Sequence, residues 1–271
     1  MIFSVIAFSL MNTVVKYLND FSAYQLLLFR SVWTLFFTIP LLLKAKVSIL
    51  GNNKVLLLSR GLAGVISLTC FFQSLNYLAL GTSVSFRYTS PIFAAIFAFV
   101  FLKEKIKPIQ WFLFLVAFSG VLIIKGFGGN VNTIGLGFIM MSAISLGLIF
   151  VLIRKMGNKE DPLVIINYFM VMAFVFGGLM SINIWKSPTP KEWAMLLSLG
   201  VFGYVGQLYL TKAFQSDETS VIAPLKYLEV IFMLVIGAFW FDEVYNLWTL
   251  LGVLLIMVGL VYNIYLKKSQ R

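Results

Sequence analysis

Nearly the whole chain divides into largely apolar stretches of about twenty residues, and that spacing restricts it to one environment. A hydrocarbon core about 30 Å thick takes roughly 20 residues of α-helix to cross. Inside it every backbone polar group must be satisfied internally, so only helices and closed barrels can span it. A barrel would alternate polar and apolar residues, and these runs do not. Ten stretches are placed at about 1–18, 22–43, 55–79, 82–102, 109–126, 134–154, 163–184, 191–213, 219–241 and 246–266. Turn-forming or charged segments part them, among them Asn19-Asp20, Gly51-Asn52-Asn53, Lys103 to Pro108, Gly157 to Pro162 and Ser187-Pro188-Thr189-Pro190. Composition agrees: the chain is 11% charged, where soluble domains carry about 25%. The first stretch begins at Met1 with no basic leader or small-residue cleavage site, and reads as a retained helix rather than a signal peptide.

The formal charge of +11 could suggest nucleic acid, but the basic residues sit in short clusters between apolar runs, which is the pattern of membrane topology. With both termini inside, the inner segments carry Lys44, Lys46, Lys54, Arg60, Lys103, Lys105, Lys107, Arg154, Lys155, Lys159, Lys212, Lys267, Lys268 and Arg271, fourteen in all. The outer segments carry Lys125, Lys186 and Lys191, three in all. That bias fixes both termini as cytoplasmic. Histidine is absent and Cys70 stands alone, so neither a metal site nor a disulfide framework is expected.

Residues 87–120 and 226–259 align without a gap at an offset of 139. Arg87-Tyr88 meets Lys226-Tyr227, Ile92-Phe93 meets Ile231-Phe232, and Gly120 meets Gly259. Lys103, Lys105 and Lys107 of the first copy become Asp242, Val244 and Asn246 in the second. A lysine cluster on one copy and an acidic pair on the other imply opposite orientations, which five helices per repeat would force. The expected fold is therefore an all-α integral membrane protein of ten transmembrane helices in two inverted five-helix repeats, at 1–126 and 134–266.

Five charges remain within the spans: Lys16, Arg30, Arg87, Lys226 and the acid Glu229. Each costs about 2.5–3.5 kcal/mol or more at a helix centre and needs a partner or water. Lys16 could snorkel from the outer end of the first span. Ion pairing of Lys16 or Lys226 with Glu229 would serve structure alone. Four cations cannot be neutralised by one acid, however, and the excess points to a cavity for an anionic or zwitterionic solute. Glu229 is the one deep carboxylate able to carry a coupled proton. Ser9, Asn12 and Lys16 share a helix face, as do Gln73 and Asn76, and Tyr204, Gln207 and Thr211. Trp33, Phe72, Tyr77, Tyr88, Tyr204 and Tyr227 lie beside these stripes and could stack on a planar ligand. The candidate substrate-binding set is Asn12, Lys16, Arg30, Trp33, Gln73, Asn76, Arg87, Tyr88, Tyr204, Gln207, Lys226, Tyr227 and Glu229. Gly200, Gly203 and Gly206 are read as a close-packing face. Pro91 is expected to bend the fourth span and Pro224 to loosen the start of the ninth.

No Walker sequence, His/Cys cluster, nucleophile elbow or pair of deep carboxylates is present, which argues against an ATP-driven pump, a metal cofactor or an enzyme. The favoured function is secondary transport of a small polar organic solute across the plasma (inner) membrane by alternating access, with no cofactor and no nucleic-acid partner. A lipid or lipid-linked substrate flippase or scramblase is the alternative, and a non-transporting helical subunit a further one. Contacts with membrane lipid follow, and a homodimer remains open.

The segment from Tyr88 to Ile106, Tyr88-Thr-Ser-Pro-Ile-Phe-Ala-Ala-Ile-Phe-Ala-Phe-Val-Phe-Leu-Lys-Glu-Lys-Ile106, resembles the helix-four signature of the EamA family in the drug/metabolite transporter superfamily. Tyr227-Leu-Glu-Val-Ile-Phe232 with Phe241-Asp-Glu243 resembles its second copy, with Val230 where a proline commonly follows the glutamate. Val15-Lys16-Tyr17-Leu18, Phe29-Arg30 and Arg60-Gly61-Leu62 are similar to the branch holding bacterial S-adenosylmethionine uptake carriers. The resemblance implies a central cavity between spans one to four and six to nine, with spans five and ten peripheral.

Overall fold

Several helix starts in this chain are set by short polar side chains that accept from orphan backbone N–H groups. Ser22 accepts from Gln25 N, Asn53 from Leu56 N, Asn132 from Ile134 N and Gly135 N, and Asp161 from Leu163 N ahead of Pro162 at the first helical position. The structure is a computed structural model describing residues 1–102, 108–127, 131–216 and 228–268. Among these residues the regular structure is entirely helical. The α-helices are α1 (Ile2–Tyr17), α2 (Ala23–Ala45), α3 (Lys54–Ser74), α4 (Leu80–Arg87), α5 (Ser90–Leu102), α6 (Pro108–Phe127), α7 (Thr133–Met156), α8 (Pro162–Ser181), α9 (Pro190–Ser216), α10 (Leu228–Trp240) and α11 (Leu247–Lys268).

Six segments are long and apolar enough to cross a bilayer: Ala23–Ala45, Lys54–Ser74, Leu80–Phe101, Thr133–Lys159, Pro162–Ile184 and Pro190–Gln215. Shorter apolar helices lie at Ile2–Tyr17, Trp111–Ile124 and Leu247–Gly259. Phe112, Leu115, Leu179 and Phe239 stand exposed on the outer surface. Exposed apolar area on this scale is what lipid covers. The chain is a multi-pass membrane protein.

The fourth span departs from a simple bend at Pro91. It is two helices, α4 and α5, parted at Tyr88 and Thr89. Proline has no N–H to give the carbonyl four residues back, which is that of Arg87, and its ring crowds that carbonyl. Thr89 N and Ile92 N accordingly bond three residues back, to Phe86 O and Thr89 O. The corresponding loosening at Pro224 lies outside the described residues, as do the Lys103–Lys107 cluster, Lys226 and Tyr227.

Helix pairs recur in a reciprocal pattern. When α1, α2, α3 and α6 are matched in order with α7, α8, α9 and α11, the packing of α3 on α7 corresponds to that of α1 on α9. Likewise α2 on α9 corresponds to α3 on α8, and the pairs α2–α8 and α6–α11 map onto themselves. The glycine face of α9 serves two of these seams, with α2 and with α1. A Cβ at Gly203 would stand 2.7 Å from Arg30 Nε and one at Gly206 2.8 Å from Phe8, and Gly200 abuts Trp33. Ser4 of α1 donates to Gly206 O at 2.7 Å across the second of them.

Candidate substrate cavity

Arg60, Gly64 and Ser67 are spaced four and three residues apart, so they share one face of α3. That face opens on a cavity of about 50 Å³, walled also by Phe8 and Met11 of α1, Arg30 of α2, Arg87 of α4 and Tyr88 at the helix break. The second half contributes Leu146 and Ile149 of α7, Phe169 of α8, Gln207 and Leu210 of α9, and Glu229 of α10. No described residue of α6 or α11 lines it. The space suits a few waters at the 10–15 Å³ that each needs.

Glu229 is 4% exposed and is held from the first half of the chain. Asn12 Nδ2 donates to its Oε1 at 2.9 Å, and the Tyr88 hydroxyl donates to its Oε2 at 2.5 Å. Three arginines face the same space. Arg30 and Arg60 are 2% and 1% exposed. Arg60 Cζ lies 4.6 Å and Arg30 Cζ 5.9 Å from the Phe169 ring centre, and Arg87 Cζ lies 4.2 Å from that of Phe71. Cation–π contacts of this kind offset part of the cost of burying guanidinium. Several donors find no protein acceptor: Arg30 Nε, Arg60 Nε and Nη1, Arg87 Nε and Gln207 Nε2. Buried donors are almost always paired, so these groups are left to water or a solute in the cavity.

Of the residues expected from sequence, Arg30, Arg87, Tyr88, Gln207 and Glu229 meet at the cavity, and Asn12 joins them through Glu229. Others stand elsewhere. Trp33 packs on Gly200 and edge-on to Phe36, and Tyr204 stacks on Phe37. Asn76 Nδ2 donates to Gln73 Oε1 at 3.3 Å, in an exposed position. Among the aromatic residues, Phe72 is buried in the core, and Tyr77 stacks on Phe138. Lys16 does not pair with Glu229. Its Nζ lies 3.6 Å from Glu243 Oε1 and donates to Leu75 O at 3.3 Å.

Glu243 therefore acts as more than a surface charge. Its carboxylate accepts from Leu80 N at 2.8 Å and 3.0 Å, at the first turn of α4, and from the Tyr245 hydroxyl. Burial, and then the hydrogen bond to Glu243, push the Tyr245 phenol above its usual range, so it remains a donor. A second carboxylate does the same at the start of α3: Glu160, 3% exposed, accepts from Asn52 N at 2.8 Å and Asn53 N at 2.6 Å.

Arg60 is the main residue that the sequence reading misplaced. It stands six residues after Lys54, at the beginning of the third apolar run, where it reads as an inner-segment charge, whereas its side chain is buried in the cavity. Without it, thirteen basic residues stand in the segments expected inside, against three in those expected outside. The helical spacing of Arg60, Gly64 and Ser67 was the available signal.

A buried cavity lined by charged groups, beside a broken membrane helix, is an arrangement that membrane transporters use. The chain belongs to the EamA-like transporter family, whose model matches residues 1–126 and 133–265. It is 28% identical over 257 residues to the pseudopaline exporter CntI of Pseudomonas aeruginosa, covering 94% of this chain and 90% of that one. It is 26% identical to human solute carrier family 35 member G1, over 94% of this chain and 75% of the relative. It is 24% identical to the S-adenosylmethionine uptake transporter of Rickettsia conorii, over 98% and 91%. A solved crystal structure matches with a TM-score of 0.68 at 16% identity, covering 99% of both chains, which is a likeness of fold. The family and the relatives' names point to small-molecule transport and not to an enzyme.

Proposed function

We propose that the chain is a secondary transporter of the plasma membrane that carries a small polar organic solute by alternating access, through the cavity around Glu229. The carrying observation is that Glu229 is gripped by Asn12 and Tyr88 of the other half, so both halves build one site. Two inverted repeats at 1–126 and 134–266, with both termini cytoplasmic and ten spans, are supported by the reciprocal helix packing and the basic-residue bias. Arg30 and Arg87 attract carboxylate or phosphate groups, Gln207 orients the solute, and Glu229 takes an ammonium group or a proton. Since the cavity holds only about 50 Å³, the surrounding helices must part for most metabolites. One relative is named an exporter and another an uptake transporter, so direction does not carry over.

The test is uptake of labelled solutes into proteoliposomes, with lipid movement followed in parallel. Arg87→Ala should abolish uptake while keeping its unliganded melting temperature within a few degrees. Lipid scrambling without solute uptake would reject the proposal in favour of a flippase.

A further inference from the structure

We infer that the cavity is selective for a small organic dianion, held by Arg30, Arg60 and Arg87 together. This rests on the transporter reading above and narrows its substrate. The first argument is charge. Three guanidinium groups line the space, and Glu229 is the one acid among the described lining residues. Guanidinium keeps its charge in proteins, so with Glu229 ionised two positive charges stay uncompensated among these described residues. Uncompensated buried charge is expensive. A zwitterion leaves that imbalance untouched, a monoanion halves it and a dianion removes it. A cationic solute would enlarge it.

The second argument is hydrogen bonding. Arg30 Nε, Arg60 Nε and Nη1, Arg87 Nε and Gln207 Nε2 are all donors without a protein acceptor. Both Glu229 oxygens already accept, from Asn12 and Tyr88. The ligand's complement is therefore rich in acceptors, and planar guanidinium forks match carboxylate and phosphate oxygens. Arg30 and Arg60 share the Phe169 ring, which places their Cζ atoms no more than about 11 Å apart. One short solute can bridge them. Space for these heads is kept by glycine: a Cβ at Gly64 would fall 2.9 Å from Arg60 Nη1.

The test uses the full chain, in detergent for thermal shift and in liposomes for counterflow. Succinate and malate represent dicarboxylates, glycerol 3-phosphate a phosphate monoester, lactate a monoanion, serine a zwitterion and S-adenosylmethionine a cation. The expected result is that a dicarboxylate or the phosphate monoester raises the melting temperature and drives counterflow, while serine and S-adenosylmethionine do neither. The two anionic arms tell which oxygen chemistry is preferred. Arg60→Gln should weaken dianion binding at least 10-fold and move the preference toward monoanions, whereas Arg60→Lys should restore the dianion preference in part. A shift with serine or S-adenosylmethionine and none with any dianion overturns the inference and leaves the transporter reading standing. Dianion binding without counterflow keeps the inference and overturns the transporter reading.

Discussion

The Tyr88 hydroxyl and the Glu229 carboxylate, 141 residues apart in sequence, meet in a 2.5 Å hydrogen bond. Tyr88 sits where α4 gives way to α5, and Glu229 lies on α10. The bond ties the helix break of one half to α10 of the other. Tyr88→Phe keeps the ring and deletes the donor. Hydrogen bonds to charged groups contribute about 1.5–3 kcal/mol, so a comparable loss of thermal stability is expected, with uptake reduced at least tenfold. Uptake at the native rate would show that this bond is not part of the transport cycle.

Glu229→Gln tests the charge rather than the bond. The amide is close in size and retains one acceptor for Asn12 or Tyr88. If Glu229 carries a proton, uptake driven by a pH gradient should vanish while exchange of solute for solute persists. Gradient-driven uptake that survives the substitution would assign coupling to another group.

Glu243 and Glu160 hold helix starts, and their removal should be felt as stability. Glu243→Ala strips the acceptor from Leu80 N and leaves Lys16, 19% exposed, without its counter-charge. Losing this partly exposed pair costs up to about 1 kcal/mol and orphaning Leu80 N about 1–3 kcal/mol more, which predicts a clear fall in melting temperature. Glu160→Ala orphans Asn52 N and Asn53 N, at about 1–3 kcal/mol. Melting curves of both variants check the order, with Glu243→Ala the more damaging.

Gly203→Ala places a Cβ 2.7 Å from Arg30 Nε. The guanidinium is the far end of a flexible side chain and can shift, so the fold should survive with a loss of about 1 kcal/mol or a little more. The moved head group should show as a several-fold rise in KM with kcat little changed. An unaltered KM would mean that Arg30 does not touch the solute.

How much of this was legible in the sequence depended on how far each feature reaches along the chain. The spans follow from runs of neighbouring residues, and Arg30, Arg87 and Glu229 stood out because a charge inside an apolar run has no local excuse. Arg60 was missed for the opposite reason, since Lys54 and the polar turn before it supplied one. The Lys16–Glu243 pair joins positions 227 residues apart, and no local pattern carries that information. Trp33 and Tyr204 lie on helices that do line the cavity, but the rotation of each helix is decided by packing against Gly200 and Phe37.

The pair α6–α11 offers a substitution that separates stability from transport. Gly120 faces the backbone of Gly252, and a Cβ there would also stand 2.9 Å from Ile256 Cγ1. Backbone cannot rotate away as a side chain can, so Gly120→Val must push the helices apart. Overpacking costs about 1–3 kcal/mol, occasionally more, and a backbone clash belongs at the upper end. No described residue of these helices lines the cavity, so KM should stay at its native value well below the melting temperature. The melting temperature itself should fall. A rise in KM comparable to that of Gly203→Ala would mean that α6 and α11 move with the transport cycle rather than brace it from the periphery.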